Sequence, residues 1–123
     1  MDTTDKDKIE KIIRDRKVAH EKLVSNGSKV YKAFLDMEKE AFSDGTLKKK
    51  HKELIALGIS LIINCESCME WHTGEALKSG ASEQEIIETI EVAIEMGGGP
   101  ATVSSRFALK ALEYYKKEKE NGN

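Results

Sequence analysis

This chain contains one proline, Pro100, in 123 residues, so a missing N–H or a ring clash forbids a helix almost nowhere. Aromatic residues make up only 6%, and no run of alternating polarity reads as a strand. An excess of one charge is missing too. Twenty Lys and Arg face 22 Asp and Glu for a net charge of −2, which leaves no electrostatic footprint for a nucleic acid. The longest apolar run, Leu54 to Ile63, is interrupted by Gly58 and Ser60 and falls far short of membrane-spanning length. The N-terminal MDTTDKDKIEKIIRDRK lacks the charged-then-apolar pattern of a secretory leader. The expectation is a soluble, cytoplasmic protein that engages neither nucleic acid nor membrane. Cysteine is nearly absent as well. Two cysteines in a reducing compartment do not make a disulfide scaffold, and they point instead to catalysis or metal binding.

Lys, Glu, Ala, Leu and Ile, which are present in quantity, favour helix. A first helix is predicted from Thr4 to Val24, with Ile9, Ile12, Ile13, Arg16 and Leu23 at helical spacing. It ends at Ser25-Asn26-Gly27. A second, from Ser28 to Phe42, has Val30, Phe34, Leu35, Met37 and Phe42 as its apolar set. Thr46 is expected to cap a third, from Leu47 to Ile63, whose second half is apolar nearly all round and suits a domain centre or a subunit interface. Asn64 turns the chain, and a fourth helix begins at the cysteines and runs to Lys78. Ser82 and Glu85 have the spacing of a capping box that opens a fifth helix, closed by Gly97-Gly98-Gly99. Pro100 suits the first turn of a sixth, to about Lys117, after which ENGN frays. The fold class is therefore all-α, a bundle of about six helices with short connections and one domain over residues 1–123. The charge-rich first and last helices read as solvated faces or oligomer arms.

The chemistry-bearing segment is NCESCMEWH, residues 64–72. Helical spacing lines Cys65, Cys68 and His72 along one face. An i,i+3 pair sets its Cα atoms about 5 Å apart, within the range a disulfide tolerates. The first turn of a helix also favours a thiolate through its unpaired N–H groups and positive dipole end. His72 lies one turn from Cys68 and two from Cys65, so Cys68 is the better nucleophile on geometry. A carboxylate from the preceding helix would orient the histidine, and Glu53 is the candidate. In an antiparallel hairpin turning at Asn64, Glu53 lies about 16 Å below the turn and His72 about 10 Å. Two other readings remain open from the residues alone: a zinc site of Cys65, Cys68 and His72 completed by Glu53 or water, and a pair of buried, inert thiols. His20 and His51, flanked by charge, read as solvated. Trp71 reads as packing or interface, and the triple glycine as tight helix–helix turning.

Glu53, then eleven residues, Cys65-x-x-Cys68, three residues and His72, followed by Gly80-Ala81-Ser82 and Gly97-Gly98-Gly99-Pro100, resembles the AhpD-like alkylhydroperoxidase members of the carboxymuconolactone decarboxylase family. The resemblance covers a core of about residues 30–111. It implies a compact all-helical fold, a trimeric or hexameric homo-oligomer, and thiol-dependent reduction of hydroperoxides or disulfides, with no cofactor and with an external dithiol or thioredoxin-like reductant. Carried over by residue, it makes Cys68 the attacking thiol, Cys65 the resolving thiol, and Glu53 and His72 the proton relay. Better-studied hydroperoxidases carry a further histidine immediately before the second cysteine, where this chain has Ser67. The wider family also implies an alternative, a lactone decarboxylase that needs no CxxC; a second, separate alternative is a non-enzymatic zinc-binding or scaffold protein.

Overall fold

A computed structural model of the chain describes residues 1–122. Its helices are α1 (Thr3–Ser25), α2 (Lys29–Ala41), α3 (Lys49–Ile62), α4 (Glu66–Lys78) and α5 (Glu83–Glu120). No strand occurs among the described residues. The expected count of six becomes five because the last two helices join through a break instead of a loop. Gly98 alone leaves helical geometry there, at φ 64° and ψ −145°, and Pro100 falls in the first turn after it, where its missing N–H costs no helical bond. Of the ENGN terminus, Glu120 still belongs to α5, and Asn123 lies outside the described residues.

The caps follow local side-chain chemistry. Asp2 accepts from the backbone N–H groups of Thr4 and Asp5 to open α1, and Ser28 accepts from Tyr31 to open α2. The capping box at Ser82 forms in both directions, Glu85 N–H to Ser82 Oγ at 3.0 Å and Ser82 N–H to Glu85 Oε1 at 2.9 Å. Thr46 does not cap α3. Asp44 takes that role by accepting from the Lys49 N–H at 2.7 Å, so the helix starts two residues later than expected. A carboxylate at a helix N-terminus also meets the positive dipole end, an advantage a threonine lacks.

The core forms where α3, α4 and α5 pack on one another, with α1 laid against α4 and α5. Leu57 and Leu61 of α3, Met69 of α4 and Ile86 of α5 are buried, as is Ile9 of α1. Each such side chain contributes about 1.5–3 kcal/mol relative to exposure. The end of α5 was expected to be a solvated face or an oligomer arm, yet Phe107, Ala108, Ala111, Leu112 and Tyr114 are buried within the chain itself. Alternating small and large residues let it pass close to α3 and α4. In contrast, α2 buries no residue fully, and Val30, Phe34 and Met37 from its expected apolar set are exposed. Leu23 of α1 is likewise exposed.

Gly98 generates a direct test, because its positive φ is open to glycine and strained for any L side chain. Gly98→Ala should destabilise the fold by about 1–3 kcal/mol in urea unfolding. Gly99 has no positive φ and nothing within 4 Å of an added Cβ, so Gly99→Ala should stay within about 0.5 kcal/mol of wild type.

Candidate active site

The site is built on the α3–α4 hairpin. Asn64 reverses the chain with φ 55°, and its side-chain oxygen accepts from Ser104 Oγ of α5 at 3.0 Å, which pins the turn to the core. Cys65 is not within the helix, as expected, but is its N-cap in extended geometry, and its Sγ accepts from the Cys68 N–H at 3.2 Å. Capping replaces the helical row proposed for it. The two cysteines are nonetheless joined as a disulfide with Cα atoms 5.2 Å apart, so the pair holds its oxidised form on an ordinary helix start.

Glu53 and His72 meet. His72 Nδ1 lies 2.7 Å from Glu53 Oε1, and Lys49 Nζ donates to Glu53 Oε2 at 2.6 Å. Glu53, the candidate carboxylate, is only 2% exposed. Burial is the largest influence on its carboxyl and pushes the pKa up, but hydrogen bonds and charge from His72 and Lys49 together carry it below the ordinary value. On Lys49, burial pulls the pKa down, and the Glu53 and Glu75 carboxylates raise it overall. Both groups are therefore ionised at neutral pH. With an ionised acceptor at Nδ1, a neutral His72 carries its proton there and leaves Nε2 as the free nitrogen. Phe42, the C-cap of α2, stacks on the imidazole with ring centroids 5.4 Å apart, and Lys49 Nζ sits 6.0 Å from the Phe42 centroid.

A second buried carboxylate holds the other side of α4. Glu70 is fully buried; one oxygen accepts from Arg16 and the other from the Tyr115 hydroxyl. Arg16 Nη2 also donates to the Ser67 carbonyl at 3.2 Å and to Ser67 Oγ at 3.3 Å, and its guanidinium lies 5.0 Å from the Trp71 centroid. Ser67, immediately before Cys68, is thereby tied to α1. A Cβ on Gly74 would fall 2.8 Å from the Tyr115 ring, so the glycine lets that ring cross α4 to reach Glu70. Burial, followed by the Glu70 carboxylate, raises the Tyr115 hydroxyl pKa far above its ordinary value, so it stays a donor.

Cys68 and His72 line one cleft, between α1, α2 and α4. Cys65 does not reach it. Trp71 forms part of its wall, beyond the packing role expected of it, and His20, expected to stand apart in solvent, lines it as well. His51 is exposed and remote from the cysteines, beside an apolar groove of α3 and α5. Among the described residues no group of three or more His, Cys, Asp and Glu side chains is disposed to hold a metal ion, and no helix is long and apolar enough to cross a membrane.

The sequence profile of the carboxymuconolactone decarboxylase family matches residues 28–111. The chain belongs to the carboxymuconolactone decarboxylase family. It is 38% identical over 87 residues, 71% of this chain and 78% of the relative, to uncharacterised protein 4 of the cox locus in Paracoccus denitrificans. A carboxymuconolactone decarboxylase family protein from Legionella pneumophila superposes with a TM-score of 0.79 at 32% identity, covering 90% of this chain and 96% of that one. Another from Thermotoga maritima, for which involvement in an antioxidative response has been suggested, gives 0.83 at 30% identity over 91% and 95% of the two chains.

Within this family fold, four residues expected at the site occupy one neighbourhood, Cys65 and Cys68 as a bonded pair and His72 and Glu53 as another. Sequence reasoning missed Lys49, Phe42 and the Arg16–Glu70–Tyr115 chain. Lys49 had a readable signal, four residues before Glu53 on the same helix face. Phe42 had none, since it arrives from a helix with no fully buried residue.

The depressed Glu53 pKa fixes the sign of a stability effect. A carboxyl whose folded value lies below its unfolded one stabilises the fold fully above the unfolded value and loses that contribution as pH falls through the folded value. The stability difference between wild type and Glu53→Gln, measured by urea unfolding, should be constant at neutral pH and shrink as pH falls below the ordinary carboxyl value of 4.5. A difference that grows with acidification would contradict the pairing.

Proposed function

We propose that the protein is a thiol-dependent oxidoreductase of the AhpD-like kind, cycling Cys65 and Cys68 between dithiol and disulfide while it reduces a hydroperoxide or a disulfide. The observation that carries this reading is the pairing of a closed Cys65–Cys68 bond with a histidine held by a buried, ionised carboxylate, Cys68 and His72 facing the same cleft. A structural disulfide needs no such neighbour. An activated thiol does.

In the reduced enzyme His72 takes the Cys68 proton at Nε2, and the Glu53 carboxylate stabilises the resulting imidazolium. The Cys68 thiolate attacks the terminal oxygen of ROOH, forming an S–O bond and breaking the O–O bond. The alkoxide leaves as ROH with the proton from His72, and Cys68 becomes a sulfenic acid. The Cys65 sulfur then attacks the Cys68 sulfur and expels the hydroxyl as water, so two thiols and ROOH give a disulfide, ROH and water. With a disulfide as substrate, the same thiolate displaces one sulfur and Cys65 resolves the mixed disulfide. An external dithiol or thioredoxin-like reductant returns the pair to its starting state.

Ser67 stands where the better-studied relatives have a second histidine, and Arg16 engages it, so one histidine serves both proton transfers. Self-association into a trimer or hexamer is part of this proposal. It is supported by an open apolar groove of about 550 Å3 between α3 and α5, walled by Ile55, Ile59, Ile62, Val92 and Met96, all more than half exposed.

The two thiols should separate by role. Cys65→Ser, reduced and then given one equivalent of peroxide, should consume it once and stop at a sulfenic acid that dimedone traps at Cys68, as mass spectrometry would record. Cys68→Ser should consume none. Trapping at Cys65 in the Cys68→Ser protein would reverse the assignment, and no consumption by the reduced wild type of either peroxide or small disulfides would end the reading.

A further inference from the structure

Cys65 has no base of its own in the site. It does not line the cleft that Cys68 shares with His72, and the imidazole stands seven residues further along the chain, about two helical turns away. In the cycle proposed above Cys65 must nonetheless act as a nucleophile, and it is the thiolate that does so.

The hydrogen bond to its sulfur leads to a charge. Cys65 Sγ accepts from the Cys68 N–H at 3.2 Å. That N–H belongs to the Ser67–Cys68 peptide, whose carbonyl oxygen accepts from Arg16 Nη2 at 3.2 Å. One peptide group therefore joins the guanidinium of α1 to the sulfur of Cys65. A cation at the carbonyl end of an amide draws electron density toward the oxygen and makes the N–H a stronger donor, as hydrogen bonds in a chain strengthen one another. Arginine keeps its charge throughout the titration range of a thiol.

Arg16 is held in place for this. It engages the buried Glu70 carboxylate, donates to Ser67 Oγ at 3.3 Å and lies 5.0 Å from the Trp71 centroid. Asn64 and Glu66, the chain neighbours of Cys65, line a groove with other charged groups, and most of these are paired: Glu66 with Lys8 of α1 at 3.0 Å, and Lys110 of α5 with Asp5 of α1 at 3.0 Å, while Arg106 of α5 completes the set. Arg16 also lies outside residues 28–111, which match the family, so α1 supplies a connection that the CxxC segment does not contain.

We infer that Arg16 is a positioning residue for the resolving thiol: through the Ser67–Cys68 peptide it favours the Cys65 thiolate and so speeds closure of the disulfide. For its place in the cycle the assignment rests on the thiol oxidoreductase reading. In that step the Cys65 thiolate attacks the sulfur of the Cys68 sulfenic acid. The S–S bond forms as the S–O bond breaks, and the departing hydroxide takes up from solvent the proton that Cys65 had released.

Alkylation of single-thiol proteins tests this with no oxidant present. Cys68→Ala keeps the peptide N–H at position 68 and leaves Cys65 as the only thiol, whose rate with iodoacetamide follows its thiolate fraction. Arg16→Met alone would strand the buried Glu70 carboxylate. The comparison is therefore Glu70→Gln against Arg16→Met/Glu70→Gln, in both of which a neutral amide remains to accept from Tyr115. At pH 7 Cys65 should react about threefold or more slowly without Arg16, the effect of weakening one hydrogen bond, and the two rates should converge above the titration of the thiol. In the matching Cys65→Ala proteins Cys68 should change less, whereas a loosened helix or a bare through-space charge would alter both thiols alike. Equal Cys65 rates with and without Arg16, or a change at Cys68 as large as that at Cys65, would overturn the assignment. An Arg16-dependent Cys65 in a protein that consumes neither peroxide nor disulfide would keep the effect on the thiol and sink the oxidoreductase reading. Turnover with a Cys65 indifferent to Arg16 would do the reverse.

Discussion

The carboxylate of Glu53 is buried between a lysine from its own helix and a histidine from the next. A lone ionised carboxyl in that position would not survive as a charge, because desolvation would drive it to take a proton. The hydrogen bonds and charge of His72 and Lys49 together prevent this, and the consequence passes to His72, whose tautomer follows from the charge at its Nδ1. The position of α3 against α4 follows as well, since the bond can form only when the hairpin turns at Asn64 and keeps its register. The chemistry assigned to Cys68 depends on that nitrogen more than on the cysteines themselves.

A second carboxylate performs a structural task on the opposite side of the same helix. Glu70 has both oxygens engaged, by Arg16 of α1 and Tyr115 of α5, so its burial links three helices. Removing one partner of such a group is far costlier than never burying it. The helix that carries the dithiol is thus clamped from both faces, Glu53 and Lys49 on one and Arg16 and Tyr115 on the other. Its N-terminal turn carries the only residues whose covalent state changes in the proposed cycle. A rigid helix with a reactive first turn lets a 5.2 Å Cα separation serve dithiol and disulfide alike.

Much of this was legible in the residues. The scarcity of proline, the breaks at Ser25-Asn26-Gly27 and Asn64, and the capping box at Ser82 located the helices, and the spacing of Glu53, Cys65, Cys68 and His72 named the residues that converge. Where the reading failed, physical competition explains it. Thr46 reads as the cap of α3, but Asp44 accepts from the Lys49 N–H instead, and a carboxylate meets the helix dipole more favourably than a hydroxyl. The last helix reads as a solvated face or an oligomer arm because of its charge, and Ala101, Ser104, Ser105, Ala108 and Ala111 register weakly as apolar, although small side chains are what close packing selects. In α2 the periodicity was real, but the element has too few neighbours to bury it. Arg16, Glu70 and Tyr115 lie far apart in the chain, and no local pattern relates them.

The central claim is that Glu53 fixes the tautomer of His72 so that Nε2 is the base for Cys68. Nitrogen-15 NMR of the reduced protein, with histidine labelled, reads this directly. Above the titration of the ring, His72 should show a protonated, hydrogen-bonded Nδ1 and an unprotonated Nε2, and Glu53→Gln should abolish that preference. A wild-type His72 protonated at Nε2, or spectra unchanged by Glu53→Gln, would contradict the account.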